Sequence, residues 1–157
     1  MKNIKINTLQ NYDDWLNKAK HEFSLYSQTR GVYELANCFL TLNCLPEWIS
    51  KSGHAPQELK NIAENKIRIM KGDKNQFLLD PEKLDQIDHQ LRLIRVFCNH
   101  TKHGDKKQAI VEITMSATFP LQFPITFDHL RVDSKNIHID PIIESVIDFW
   151  EKSIKHT

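Results

Sequence analysis

The chain has 157 residues, 40% of them apolar and 26% charged, which suits one soluble globular domain with a real core, spanning 1–157, and leaves no room for two. Its formal charge of +1 excludes polycation behaviour, so a nucleic-acid role has to rest on a local patch. Cys38, Cys44 and Cys98 are odd in number and show no C-x₂-C spacing, which argues against a disulfide framework or a zinc site and for reduced thiols. The N-terminus carries no apolar signal region and no run approaches membrane-spanning length, so a cytoplasmic protein without membrane association is expected.

Residues Thr8 to Gln28 read as a first helix through Leu9, Tyr12, Leu16, Ala19 and Phe23, with Asp13 and Asp14 at its positive end. Trp15 and Tyr26 broaden the apolar face, and Thr29-Arg30-Gly31 ends it. A second helix, Val32 to Ser50, is apolar over more than half its circumference and is expected to be central. Its amides Asn37 and Asn43 call for hydrogen-bonded partners, and Pro46 is expected to kink or interrupt it. Pro56 to Met70 gives a third helix through Leu59, Ile62, Ala63, Ile67 and Met70, followed by a loop at Gly72-Asp73-Lys74-Asn75.

Asp80 to His103 reads as one long helix. Asp80 is placed as N-cap, Pro81 stands at the first helical position, and Gly104 follows the basic end as a C-cap. Leu84, Ile87, Leu91, Ile94 and Cys98 draw one apolar seam. Asp88, Arg92, Arg95, Asn99 and His103 fall within about a quarter of the circumference. Such a stripe is expected to be a solvated face with pairs such as Asp88 to Arg92.

After Gly104 the period changes to two. Val111 to Ala117 and Leu121 to Phe127 alternate as two half-buried strands, expected to pair antiparallel, with Pro124 at an edge or bulge. Leu130-Arg131-Val132 and Ile137-His138-Ile139 extend them into a small meander. Asp140-Pro141 repeats the cap-plus-proline start and opens a last helix through Ile143, Val146, Ile147, Trp150 and Ile154. The fold class is α+β: four or five helices, with the bundle over 8–104, a hairpin or meander over 107–139, and a C-terminal helix over 140–156.

The chain has four scattered glycines and no phosphate loop, and no Ser or Cys nucleophile motif. His100, His103 and Asp105 lack the carboxylate partners of a functional metal site, so neither metal nor cofactor is expected. His21, His54, His89, His129, His138 and His156 read as surface or hairpin residues. Between Arg92 and Lys107 the cations Arg92, Arg95, Lys102, Lys106 and Lys107 stand against Asp105 alone, a local excess of +4.

Arg95 and His100, in Arg-x₄-His spacing near the end of an amphipathic helix, resemble the Arg-x₄₋₆-His motif of the HEPN superfamily. Those are small helical bundles, many of them metal-independent ribonucleases of toxin–antitoxin and antiviral systems. The resemblance implies RNA cleavage, with a histidine moving protons and the arginine holding phosphate. It also implies a homodimer whose two motifs share a cleft, a helpful arrangement because Arg95 and His100 are roughly 140° apart on the wheel. The residue after the family's arginine is usually polar; here it is Val96.

The segments Asn37-Cys38-Phe39 to Pro46-Glu47-Trp48, Arg95 to His103 and Phe149-Trp150-Glu151 resemble a group of uncharacterised bacterial and phage-borne proteins. Their pattern makes Arg95, Asn99, Lys102 and His103 prominent. Two readings follow. In one, a HEPN-like domain acts on RNA: Arg95, His100 and His103 are catalytic, and Arg92, Asn99 and Lys102 bind substrate. In the other, a non-catalytic module uses its basic helix end to bind an acidic protein partner or a nucleic-acid backbone.

Overall fold

The computed structural model of the chain describes residues 9–72, 77–103, 111–114, 129–132 and 135–157, the backbone alone in 100–103, 111–114 and 129–132. Among the described residues it is predominantly helical, with five helices. Helix α1 (Tyr12–Thr29) starts where Asn11 Oδ1 accepts the Asp14 N–H at 2.9 Å, while the Asp14 carboxylate accepts the Gln10 N–H at 2.9 Å. Two donors at the helix start are thereby satisfied reciprocally. α1 ends at Arg30, which adopts the left-handed conformation (φ 54) and donates its N–H to the Tyr26 carbonyl at 2.7 Å.

Helix α2 (Val32–Lys51) continues through Pro46, so the expected interruption does not occur. Proline removes a single backbone bond at that point. Pro46 is buried, as are Leu45 and Ile49 of the same helix. Of the two α2 amides, Asn37 is exposed. Helix α3 (Gln57–Lys71) stops at Gly72, whose φ of 52 with ψ of −83 lies outside the left-handed helical region that Arg30 occupies and favours glycine.

The long helix expected from Asp80 is divided. Asp80 caps a separate 3₁₀ turn, Pro81–Lys83, by accepting the Glu82 N–H at 3.0 Å. Helix α4 (Ile87–His103) begins only afterwards. Two buried side chains of α4 hold the segment before it: His89 Nδ1 accepts the Asp80 N–H at 3.1 Å, and the Gln90 amide donates to the Leu84 carbonyl at 2.9 Å. His89, expected at the surface, therefore lies in the interior, its ring 4.8 Å from that of Phe77.

Among the described residues three short strands follow: β1 (Val111–Thr114), β2 (His129–Val132) and β3 (Lys135–His138). They pair antiparallel in the order β1-β2-β3, with Val111 opposite Val132 and His129 opposite His138. The partner of 111–114 is thus 129–132. The stretch 121–127, expected to be that partner, lies outside the described residues, as does Gly104. Helix α5 (Asp140–His156) has Ile139 at its cap position, and Asp140 is already helical. The Asp140 carboxylate does not cap; both its oxygens accept from Arg30 Nη1, at 2.8 and 2.7 Å.

Helices α2 and α4 form the centre. α1 packs on α2, α3 on both, and α5 on α1 and α4. In α4 every residue from His89 to Ile94 and from Val96 to Cys98 is buried, a far wider buried face than one apolar seam. Phe39 of α2 meets Phe97 of α4 edge-on, with ring centroids 4.8 Å apart. No helix among the described residues is long and apolar enough to cross a membrane.

Candidate functional site

Because α4 is enclosed, its polar stripe does not form a solvated face; it turns towards α2 and α3. Lys66 of α3 takes up Asp88 at 2.6 Å. Arg92 is only 4% exposed and donates from Nη1 to the Met70 carbonyl at 2.8 Å. That carbonyl is one of the last four of α3, which no intrahelical donor reaches, and a cation there also suits the helix dipole. Arg92, assigned to substrate from the sequence, is thereby committed to closing α3. A buried guanidinium holding a helix end is not available to a ligand at the surface.

Arg95 has a different setting. It is half-buried, and its Nη1 reaches Asn43 Oδ1 of α2 at 3.4 Å, at the outer limit of a hydrogen bond. Asn43, Glu47, Ile67, Met70, Lys71 and Arg95 surround a notch of about 10 Å³, room for about one water molecule. Asn99, one turn further along, is also half-buried. The backbone of α4 carries His100, Lys102 and His103 beyond it, while their side chains, with Lys106 and Lys107, lie outside what is described. The structure therefore brings Arg95 and Asn99 to one edge of α4 and separates Arg92 from them.

Asn43, Glu47 and Lys71 had no assigned role in the sequence. Asn43 carried the one legible signal, an amide within an apolar helix. Glu47 also lines a second, larger opening. This groove of about 530 Å³ lies between the start of α1 and the end of α2, and Tyr12, Cys44, Trp48, Lys51 and His54 are among its walls. Trp48 is 36% exposed and packs on Trp15, with ring centroids 5.2 Å apart.

Two thiols are unsuited to nucleophilic chemistry. Burial and, after it, the charge of Glu22 push Cys38 up to about 12, and burial pushes Cys98 up to about 12 as well. Among the described residues no three His, Cys, Asp or Glu side chains are grouped to hold a metal ion. No family model matches the chain, and neither curated proteins nor solved structures give a match.

Proposed function

We propose that this chain is a HEPN-like, RNA-directed domain of the toxin or defence type, whose working residues lie at the C-terminal end of α4. The observation that carries the reading is the state of Arg95. Its guanidinium is positioned by Asn43, yet no carboxylate of the described residues stands within ion-pair distance. A cation held in place but not neutralised is what a phosphate needs.

Helical phase puts Asn99 about 40° and Lys102 about 20° from Arg95, and the rise of the helix sets His100 about 7.5 Å and His103 about 12 Å further on. In the proposed reaction a histidine accepts the 2′-hydroxyl proton and the 2′-oxygen attacks phosphorus. The P–O5′ bond then breaks, and the departing 5′-oxygen takes up a proton, leaving a cyclic phosphate and a 5′-hydroxyl. Arg95 stabilises the charge gathered on the non-bridging oxygens. His100 and His103 are both assigned to proton transfer, and a homodimer supplies the second histidine-bearing helix end.

The test is cleavage of a mixed RNA pool in the presence of EDTA by wild type, Arg95→Ala, His100→Ala and His103→Ala, alongside sedimentation. Dimeric wild type that cuts, with Arg95→Ala and one histidine variant inactive and folded, supports the nuclease. Equal traces of cleavage in all four reject it. The burial of Arg92, which removes one cation from the stripe, favours the second reading of a non-catalytic module. That reading requires salt-sensitive RNA or acidic-partner binding without turnover.

A further inference from the structure

We infer that the groove between the start of α1 and the end of α2 seats an unpaired nucleobase, stacked on Trp48; as a subsite for RNA this rests on the reading of Arg95 above. The lining supplies the stacking surface: Trp48 is part-exposed and packs on Trp15 at 5.2 Å and a 35° tilt, and Tyr12 lines the same groove. A ring already packed on another loses little freedom when a base lands on it, which is how single-stranded nucleic acids are held without regard to sequence. The rim supplies the edge chemistry. Gln10, Glu47 and Ser52 offer the donors and acceptors that a base presents on its polar edges. At about 530 Å³ the groove lies within the range of small-molecule sites, roughly 300–1,000 Å³, and accommodates a nucleoside.

Its place relative to Arg95 makes the base part of a strand. Glu47 lines both the groove and the Arg95 notch, so the two openings adjoin along α2. From Asn43, the partner of Arg95, to Trp48 is five residues, about 7.5 Å along the helix and about 140° around it, so a strand joining the two openings passes around α2 beside Glu47 and takes more than one nucleotide to do so. Lys51, exposed on the next turn and only loosely paired with Glu47 at 3.7 Å, stands ready for the following phosphate.

The experiment measures binding of the full chain to a fluorescent eight-nucleotide oligoadenylate and to an abasic strand of equal length and charge. Tryptophan quenching by free adenosine serves as a third arm. Two variants accompany wild type: Trp48→Ala, and Gly53→Phe, which fills the groove from a position where a Cβ meets nothing within 4 Å. Wild type is expected to bind oligoadenylate about tenfold to a hundredfold more tightly than the abasic strand. Both variants should bind oligoadenylate at the abasic level. Gly53→Phe, whose Cβ meets nothing within 4 Å, leaves the contact of Trp48 with Trp15 in place and keeps the test valid where Trp48→Ala loosens α1 against α2.

If neither RNA binds yet adenosine quenches wild type and not Gly53→Phe, the base site stands, its ligand is a free nucleoside or nucleotide, and only the RNA reading fails. If intact and abasic strands bind equally and adenosine has no effect, the base site is overturned while the RNA reading survives. A base preference that persists unchanged in Gly53→Phe overturns it too, since the base then sits elsewhere.

Discussion

Arg92 Nη1 donates to the Met70 carbonyl at 2.8 Å, and the space beside Gly72 is filled by the same guanidinium: a Cβ built on Gly72 would lie 2.3 Å from Arg92 Cζ. The positive φ of Gly72 and the packing of Arg92 are two aspects of one joint between α3 and α4. Gly72→Ala meets both obstacles and is expected to cost about 2–3 kcal/mol of stability. Urea denaturation of Gly72→Ala, Arg92→Met and the double variant tests the joint. A cost for the double variant well below the sum of the two single costs is expected, because removing the guanidinium removes the clash. Full additivity would mean that Gly72 is needed for its backbone conformation alone.

The two arginines of the stripe should part company on substitution. Arg92→Met strands a buried carbonyl and is expected to cost about 1–3 kcal/mol. Arg95→Ala gives up one long bond to a half-buried amide and should cost no more than about 1 kcal/mol. RNA binding or cleavage should follow the opposite order, vanishing with Arg95 and surviving in any Arg92 variant that still folds. Equal loss of activity at equal stability in the two would remove the distinction.

Arg30 joins the end of α1 to the start of α5. Its side chain stacks over Tyr26 at 5.1 Å and pairs with Asp140, and the hydrogen bond to that carboxylate holds its pKa above the ordinary arginine value despite the opposing effect of burial. Asp140→Asn is expected to cost about 1–2 kcal/mol, since the pair is part-buried rather than fully solvated. The loss should shrink in high salt, which screens the pair in wild type. A midpoint shift independent of salt would assign the effect to the helix start.

The helices were largely legible because their apolar residues recur with the right period, and those residues became the core: Leu16, Ala19, Leu35, Leu42, Leu59, Ile94 and Trp150 are all buried. The division before α4 was not legible. Asp80-Pro81 is an equally good start for a 3₁₀ turn, and the choice rests on His89 and Gln90 reaching back to its backbone. The wheel likewise showed that Arg92 and Arg95 share a stripe with Asp88, but not that α2 and α3 lie against it. Whether a charge faces water or a neighbouring helix terminus is a tertiary fact. Val96 carried an unread signal: an apolar residue beside the motif arginine marks α4 as enclosed on that side too, and Val96 is buried.

Alkaline pH should destabilise the fold through its two buried thiols. In the unfolded chain Cys38 and Cys98 ionise near the ordinary value of about 8.5, whereas in the fold both are pushed up to about 12. A raised folded pKa means that the stabilisation is fully present below about 8.5 and drains away as pH rises from there towards 12, by up to about 1.4 kcal/mol per pH unit for each thiol. Denaturation midpoints at pH 7.5, 9 and 10 should fall more steeply for wild type than for Cys38→Ala, whose midpoint starts lower. Parallel slopes would show that the thiol is not the titrating group. Alkylation near neutral pH should reach the half-buried Cys44 before either of the others.

Between α1 and α2 the polar contact is a closed triangle: Lys18 pairs with Glu22 and donates to Thr41 Oγ1 at 2.6 Å, and Thr41 donates to the second Glu22 oxygen at 2.5 Å. Thr41 is 1% exposed, so its hydroxyl has no water to fall back on. Thr41→Val keeps the shape and deletes the hydroxyl, leaving a buried carboxylate oxygen short of a donor, and is expected to cost about 1–3 kcal/mol. Thr41→Ser keeps the hydroxyl and loses one methyl, about 1 kcal/mol. Adding Glu22→Leu to Thr41→Val should recover part of the loss, because an apolar pair leaves no oxygen stranded. A Thr41→Val protein as stable as Thr41→Ser would mean that Lys18 alone satisfies Glu22, and that α1 and α2 are held together by their apolar faces, Ala19 against Cys38, whose thiol meets the Ala19 carbonyl at 3.8 Å.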